Sequence, residues 1–385
     1  MTTRRVGINL LWMVPGVVGG SETYTTRLLH GLTESRSDIE YTLFALPQFA
    51  TAHPELASAF DVAYAPLTGQ WKSFRVAGEN SWLATTSRRR KIDAIHHAGG
   101  IVPLMPSRRP ILTIHDLQYL FFPEYFTKAK LAYLRTMVPR SAETARLVMT
   151  PSEYSRRTVI ERLSIDPSLV VVVPHGISLR EESPVETNVR ERFGIDGPFF
   201  LYPAATYPHK NHLVLIEAFN RMLKIHPQTN LVFTGPKGWE VWKTATEMER
   251  RIGRELSKLG ITDRVKRLGY VSSHDLDALY HAASAVVFPS RFEGFGAPVL
   301  EAMSRGCPVV AADASALPEV VGHAGRLVSP DNTEDWCRAM VDLVDDDELR
   351  SQFAKAGMER SREFNWAYSA DTLENCYRLV LETTL

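Results

Sequence analysis

Beyond residue 198, short β-branched or aromatic runs alternate with helix-length amphipathic stretches. FFLYPA (199–204), NLVFTG (230–235), RVKRLGYV (264–271), SAVVFPS (284–290), CPVVAAD (307–313) and RLVSP (326–330) read as strands. Residues 212–226, 240–258, 274–282, 297–305, 316–322 and 333–343 space their apolar positions as helices do. Strands apolar along nearly their whole length, each followed by a helix, predict a parallel sheet covered on both faces. The first half repeats the scheme, with strands at 5–11, 41–46, 93–99, 110–115, 146–152 and 169–176 and helices at 21–34, 128–143 and 153–162. Residues 177–198 are charged and strand-poor and read as a linker, whereas 364–385 read as a last amphipathic helix. No internal repeat of solenoid length interrupts the pattern.

The pattern therefore predicts an α/β chain with two doubly wound, Rossmann-like domains. Its 385 residues are too many for one ordinary core. With 44% hydrophobic and 23% charged residues, the composition is that of a globular protein and excludes disordered and fibrous classes. No apolar run has the length of a membrane span. The start, MTTRRVGINLLWMVPG, reads as a first strand and lacks a small-residue cleavage site, so a cytoplasmic location is expected. Cys307, Cys337 and Cys376 have neither disulfide-frame nor zinc spacing. The net charge of zero conceals an asymmetry. Residues 1–180 carry 21 Lys and Arg against 14 Asp and Glu, and the remainder carries the opposite imbalance. Two halves of opposite sign suit two domains with different partners, although random drift of surface charge gives the same sums.

Ligands of open α/β sheets bind beyond the carboxyl ends of strands, and the chemistry-bearing residues collect there. Ser290 to Glu301, SRFEGFGAPVLE, follows one strand and opens a helix. Gly294 and Gly296 remove side chains where a ligand would approach the backbone, and a free helix start suits an anion. Pro298 fits a first helical turn and sets the register. Glu301 then shares a helix face with Ala297, while Glu293 lies on the loop at the same end. Both carboxylates are placed to accept hydroxyl groups; the plain alternative is a solvated loop residue and a dipole-matched helix residue.

This stretch resembles the E-x7-E element of retaining glycosyltransferases of family 4, which have the GT-B fold. The likeness runs the length of the chain. Gly19-Gly20-Ser21-Glu22 is similar to the glycine turn after the first strand, and Ile114-His115-Asp116-Leu117 to the His-Asp strand end. Val173-Pro174-His175-Gly176-Ile177 resembles V-P-N-G-V, and Pro208-His209-Lys210-Asn211 resembles the diphosphate element P-x-K-G/N. Ala314 to Val321, ASALPEVV, is similar to the loop and helix that follow.

The resemblance implies two domains facing a cleft. Residues 1–180 would bind the acceptor and residues 181–363 the donor, with helix 364–385 packing back on the first. It assigns Lys210 to the donor diphosphate, Glu293 and His115 to the transferred sugar, and Glu301 to the ribose hydroxyls. Gly19 and Gly20 would approach the phosphates through their backbone, and Gly294, Phe295 and Gly296 would lend N–H groups. Tyr270 and Val271, just past a strand, would flank the base or simply pack in the core. One departure stands out: where many members carry Arg five residues before the lysine, this chain has Ala205. That leaves the diphosphate to Lys210, aided by His209 or the glycine turn.

The activity so implied is retaining, metal-independent transfer of a hexose to a glycan or lipid-linked acceptor in polysaccharide or lipopolysaccharide assembly. GDP-mannose is the favoured donor, and no cofactor is implied beyond this nucleotide sugar. A UDP-sugar donor, an epimerase on the same fold and an inactive sugar-nucleotide-binding subunit are the alternatives. Asp275-Leu276-Asp277 has the spacing of a metal motif but opens a helix, where acids match the dipole. Arg88-Arg89-Arg90-Lys91, with Trp71, Phe74 and Trp82 upstream, suits either peripheral contact with an anionic membrane or a solvated helix end. Nothing resembles a nucleic-acid module.

Overall fold

The computed structural model describes residues 4–17, 19–35, 37–69, 71–105, 108–177, 188–235 and 243–383. The chain divides into two compact units, Met1–Gly176 with Asn365–Leu385, and Ile177–Phe364. The N-terminal unit is built on a parallel sheet of β1 (Arg4–Asn9), β2 (Ile39–Ala45), β3 (Asp61–Tyr64), β4 (Ala94–His97), β5 (Pro110–Thr113), β6 (Leu147–Thr150) and β7 (Val170–Val172). Their order is β3-β2-β1-β4-β5-β6-β7. Every residue of β4, β5 and β6 is buried, as strands covered on both faces require.

The last helix, Trp366–Glu382, belongs to this unit and lies against helix Gly20–Glu34. Glycine makes that close approach possible, because a Cβ on Gly31 would come within 2.6 Å of the Ala370 Cβ. A Cβ on Gly176 would overlap the Trp366 backbone nitrogen and lie 2.6 Å from its Cγ. Gly176 in the V-P-H-G-I element is thus where the last helix enters the unit. Gly176→Ala is expected to cost about 1–3 kcal/mol through overpacking. A urea-unfolding midpoint equal to wild type would show that the entry is looser than this geometry.

The C-terminal unit has the parallel order β10-β9-β8-β11-β12-β13. Its strands are β8 (Phe199–Pro203), β9 (Asn230–Thr234), β10 (Val265–Gly269), β11 (Ala285–Phe288), β12 (Val309–Ala312) and β13 (Arg326–Val328). Helix starts are capped as their sequences suggest. The side chains of Ser272, Asn332 and Asp346 accept from the N–H groups of Asp275, Asp335 and Leu349. One expected helix, 240–258, is seen as Lys243–Leu259, its first residues lying outside the described ones.

Several segments differ from the pattern reading. The expected linker 177–198 falls partly outside the described residues, at 178–187, and its remainder belongs to the C-terminal unit. Val189 and Ile195 are buried in that unit's core, so the charged composition conceals two apolar anchors. β3 lies outside the expected strands, since it is four residues long with only Ala63 buried and so has no apolar run. Residues 72–89 form one helical rod, Lys72–Gly78, a π turn at Glu79–Leu83, and Ala84–Arg89. Gly78, Asn80 and Ser81 are poor helix formers, and the π turn breaks the 3.6-residue period. Helix Asp347–Ser361 also lies outside the expected elements, and its Gly357 packs against Met303.

Candidate functional site

In the C-terminal unit β8 and β11 are neighbours from which the chain winds away in opposite directions, to β9 and to β12. Such a switch point opens a crevice at the strand ends. The loops leaving these two strands carry the E-x7-E and P-x-K-N residues. After β8, Pro208–Lys210 makes a single 3-10 turn, and Asn211 follows with φ 61°. That left-handed conformation explains Asn or Gly at this position of the element. The Asn211 side chain donates to the Pro330 carbonyl at 2.7 Å, and the Tyr202 hydroxyl donates to the Lys210 carbonyl. The Arg291 N–H donates to the His209 carbonyl at 2.8 Å, tying the two loops together.

These ties bring Lys210 Nζ within 2.5 Å of Glu293 Oε1 and 5.3 Å from the centre of the Phe288 ring. Both side chains of the pair are about 15% exposed or less. Glu293 is held from behind by its N–H, which donates to Ser315 Oγ at 2.9 Å. Ser315 itself has φ 54°. Gly296, with φ 109°, precedes helix Ala297–Ser304 and leaves that helix start without a side-chain cap. A Cβ there would lie 2.7 Å from Leu317 Cδ2. The Phe295 ring is buried edge-on to Phe364, so only its backbone faces outward chemistry. Glu301 Oε2 accepts from the Tyr280 hydroxyl at 3.2 Å, and Tyr270 is 81% exposed. Val271 packs on the unit's core.

Lys210 has three N–H donors and gives one to Glu293, so the pair can still meet an anion. His209 is different: it is buried and stacked on Tyr207 at 5.7 Å. Burial, then the charges of Lys210 and His212, hold its pKa well below the usual value. A neutral imidazole would help a diphosphate through a hydrogen bond and not through the charge that an Arg at position 205 would bring. Asp275 pairs with Arg192, and Asp277 lies 3.0 Å from Arg305, so these acids are engaged by arginines.

In the N-terminal unit Gly19, with φ 69°, precedes helix Gly20–Glu34, and a Cβ on either glycine would meet open space. Glu22 accepts from the Gly16 N–H and from His53 Nε2, both at 2.9 Å, which fixes the turn. His115 Nε2 donates to the Ala98 carbonyl at 3.1 Å, and the ring stands edge-on to Tyr24. Burial pushes its pKa down to about 4, so it acts as a neutral hydrogen-bonding group at pH 7. Trp82 packs edge-on against Phe44, and Arg90 pairs with Asp61. Arg88, Arg89 and Lys91 of the Arg88–Lys91 cluster stay exposed. Ser315, Tyr202 and Tyr280 support the site without any signal of their own in the sequence, since hydroxyl partners are set by tertiary contact.

Residues 186–360 match the family described as "Glycosyl transferases group 1", and residues 18–181 match "Glycosyltransferase Family 4". The chain is a family 4 glycosyltransferase. It is 29% identical to O-antigen chain mannosyltransferase B of Escherichia coli over 75% of each chain. It is 25% identical to O-antigen chain mannosyltransferase RfbU of Salmonella typhimurium over 71% of this chain and 68% of that one. The crystal structure of HepE from Anabaena, in complex with UDP and glucose, superimposes with a TM-score of 0.74. That alignment covers 98% of this glycosyltransferase and 100% of HepE at 22% identity. The fold class is GT-B, with one parallel-sheet Rossmann-like domain in each unit. Among the described residues, no helix of the glycosyltransferase is long and apolar enough to cross a membrane.

Proposed function

We propose that this glycosyltransferase moves mannose from GDP-mannose, with retention and without a metal ion, to a glycan or lipid-linked acceptor in polysaccharide assembly. The observation that carries the reading is the Lys210–Glu293 pair at the β8/β11 switch point, beside the uncapped helix start at Gly296. Lys210 and the helix N–H groups would take the diphosphate charge as the glycosidic bond breaks. Glu293 would then orient the sugar through its hydroxyls, and Glu301, steadied by Tyr280, would accept from the ribose. Within the N-terminal unit Gly19, Gly20 and His115 would keep the roles that the resemblance implies, and in the C-terminal unit Tyr270 would offer an exposed ring to a base.

Retention then follows from same-face substitution, in which the leaving phosphate oxygen accepts the acceptor proton and the protein contributes positioning and charge stabilisation. The mannose assignment draws on the two O-antigen mannosyltransferases. A UDP-hexose is the second reading, favoured by the HepE complex with UDP and glucose. The enzyme is placed in the cytoplasm, with peripheral contact at the inner membrane face.

Incubation with GDP-mannose and a mannoside acceptor, followed by NMR of the product anomer, tests this reading. An α-linked product and a rate that EDTA changes by less than about twofold are expected. GDP-mannose left intact while UDP-glucose is consumed would move the assignment to the second reading. A β-linked product would overturn retention.

A further inference from the structure

The N-terminal sheet also has a switch point, between β1 and β4, and a second cluster of charged and polar side chains sits there. Asn9 ends β1 and pairs in register with His97, which ends β4. The Asn9 amide is fixed because its Oδ1 accepts from the Leu11 N–H, so its Nδ2 donates to Glu79 Oε1 at 2.9 Å. Glu79 lies in the π turn that follows helix Lys72–Gly78. From that helix Arg75 donates to the Trp12 carbonyl at 2.8 Å, and Lys72 Nζ lies 5.1 Å from the centre of the Tyr133 ring. Tyr133 and Lys130 belong to helix Lys128–Thr144, so the cluster spans two helices.

Two features mark this cluster as built for an anion. Its three cations share one carboxylate: burial and the charge of Lys72 push Lys130 down to about 8, burial and Arg75 push Lys72 down against the pull of Glu79, and Glu79 is itself raised by burial to about 7. Arg75 Nε–H and Trp12 Nε1–H are enclosed and have no acceptor among the described residues. Like charges and unmet donors held together cost free energy that an incoming anion recovers. Beside them Trp71 and Phe74, one helical turn apart, are 67% and 61% exposed. Leu104 and Met105, whose N–H groups are held by Asn80, are exposed as well.

We propose that this cluster is the acceptor site's anion pocket, taking the phosphate or diphosphate of a phosphorylated acceptor. Lys72, Arg75 and Lys130 hold the anion, and the exposed side chains of Trp71 and Phe74 receive a prenyl chain. The proposal deepens the acceptor half of the function given above and rests on that reading. It also moves the membrane-side contact from the Arg88–Arg90 cluster to the start of helix Lys72–Gly78.

Calorimetric titration of the full chain tests it, first with GDP and then, at saturating GDP, with inorganic diphosphate and with farnesyl diphosphate. The GDP step reports on the donor reading alone. Repeating the second step in Lys210→Ala removes diphosphate binding at the donor site. The expected result is binding of farnesyl diphosphate on top of GDP, weakened at least about tenfold in Lys72→Glu with GDP affinity unchanged. Trp71→Ser combined with Phe74→Ser should weaken farnesyl diphosphate and leave inorganic diphosphate as it was. Equal binding of both probes, unaffected by that double variant, would keep the anion pocket and assign it a soluble phosphorylated acceptor. No binding of either probe to the GDP-saturated wild type, or Lys72→Glu binding them as tightly as wild type, would overturn the proposal.

Discussion

Lys210→Ala is expected to remove about 2–4 kcal/mol of transition-state stabilisation, about 30- to 900-fold in kcat/KM, from a chain that stays folded. The size follows from what the ammonium faces. It is mostly enclosed, lies 2.5 Å from Glu293, and sits where a diphosphate would gain charge as the sugar departs. An ammonium fixed before reaction needs no reorganisation when that charge appears. The substitution also strands Glu293, whose carboxylate loses its ion pair with Lys210 in a partly dry site. The variant Glu293→Gln and the double variant separate the two effects. If Glu293 orients the sugar while Lys210 holds the phosphate, the double variant should lose less than the sum of the singles, because both act on one ligand. A folded Lys210→Ala chain with kcat/KM within about threefold of wild type would reject the diphosphate role.

What the sequence reveals of this site, and what it hides, follows from the range of the forces involved. The strands were legible because β5, β6 and β8 are buried along their whole length, which favours nearly continuous apolar runs, whereas the equally buried β4 ends in His96 and His97. Pro208, Asn211 and Gly296 were legible because backbone geometry restricts the residue at each place: a turn start, a left-handed φ, and a helix entry against Leu317. Short-range rules of this kind leave local marks. The hydroxyls of Tyr202, Ser315 and Tyr280 leave none, because their partners lie far along the chain or are backbone atoms. The charged cluster around Lys72, Arg75 and Glu79 was hidden for a further reason. A π turn at Glu79–Leu83 shifts the helix face, so the rod carries no steady period for a pattern to show. The row Arg88 to Lys91 is conspicuous in the sequence, and in the fold Arg90 pairs with Asp61 while Arg88, Arg89 and Lys91 are exposed. Residues from β1, β4 and two helices meet with no such adjacency in the sequence to mark them.

Acidification should unfold the N-terminal unit well before pH 4, because that unit buries several neutral histidines. His96 is bonded on both ring nitrogens, to the Tyr377 hydroxyl at 2.8 Å and to Thr113 Oγ1 at 2.7 Å. His97 lies against the Asn9 amide, and His175 packs against the rings of both Tyr24 and Trp366. Burial pushes all three down to about 3, with like charge from neighbouring histidines adding to the effect on His96 and His175. The unfolded chain protonates them near 6.5, so between about pH 6.5 and pH 3 it binds more protons than the folded one. Their stabilisation is therefore complete above pH 6.5 and is lost as pH falls through that window. At pH 5 each histidine forfeits about 2 kcal/mol, about 6 kcal/mol for the three, against a typical domain stability of about 5–15 kcal/mol. Glu79 works in the opposite direction. Burial raises it to about 7, so its protonation favours the folded state as pH falls from 7, and it offsets roughly one histidine. Urea midpoints measured from pH 7.5 to pH 5 should thus fall steeply. Replacing one of the three by His175→Phe should flatten the slope by about 1.4 kcal/mol per pH unit, and a midpoint unchanged down to pH 5 would mean these rings take up protons without opening the fold.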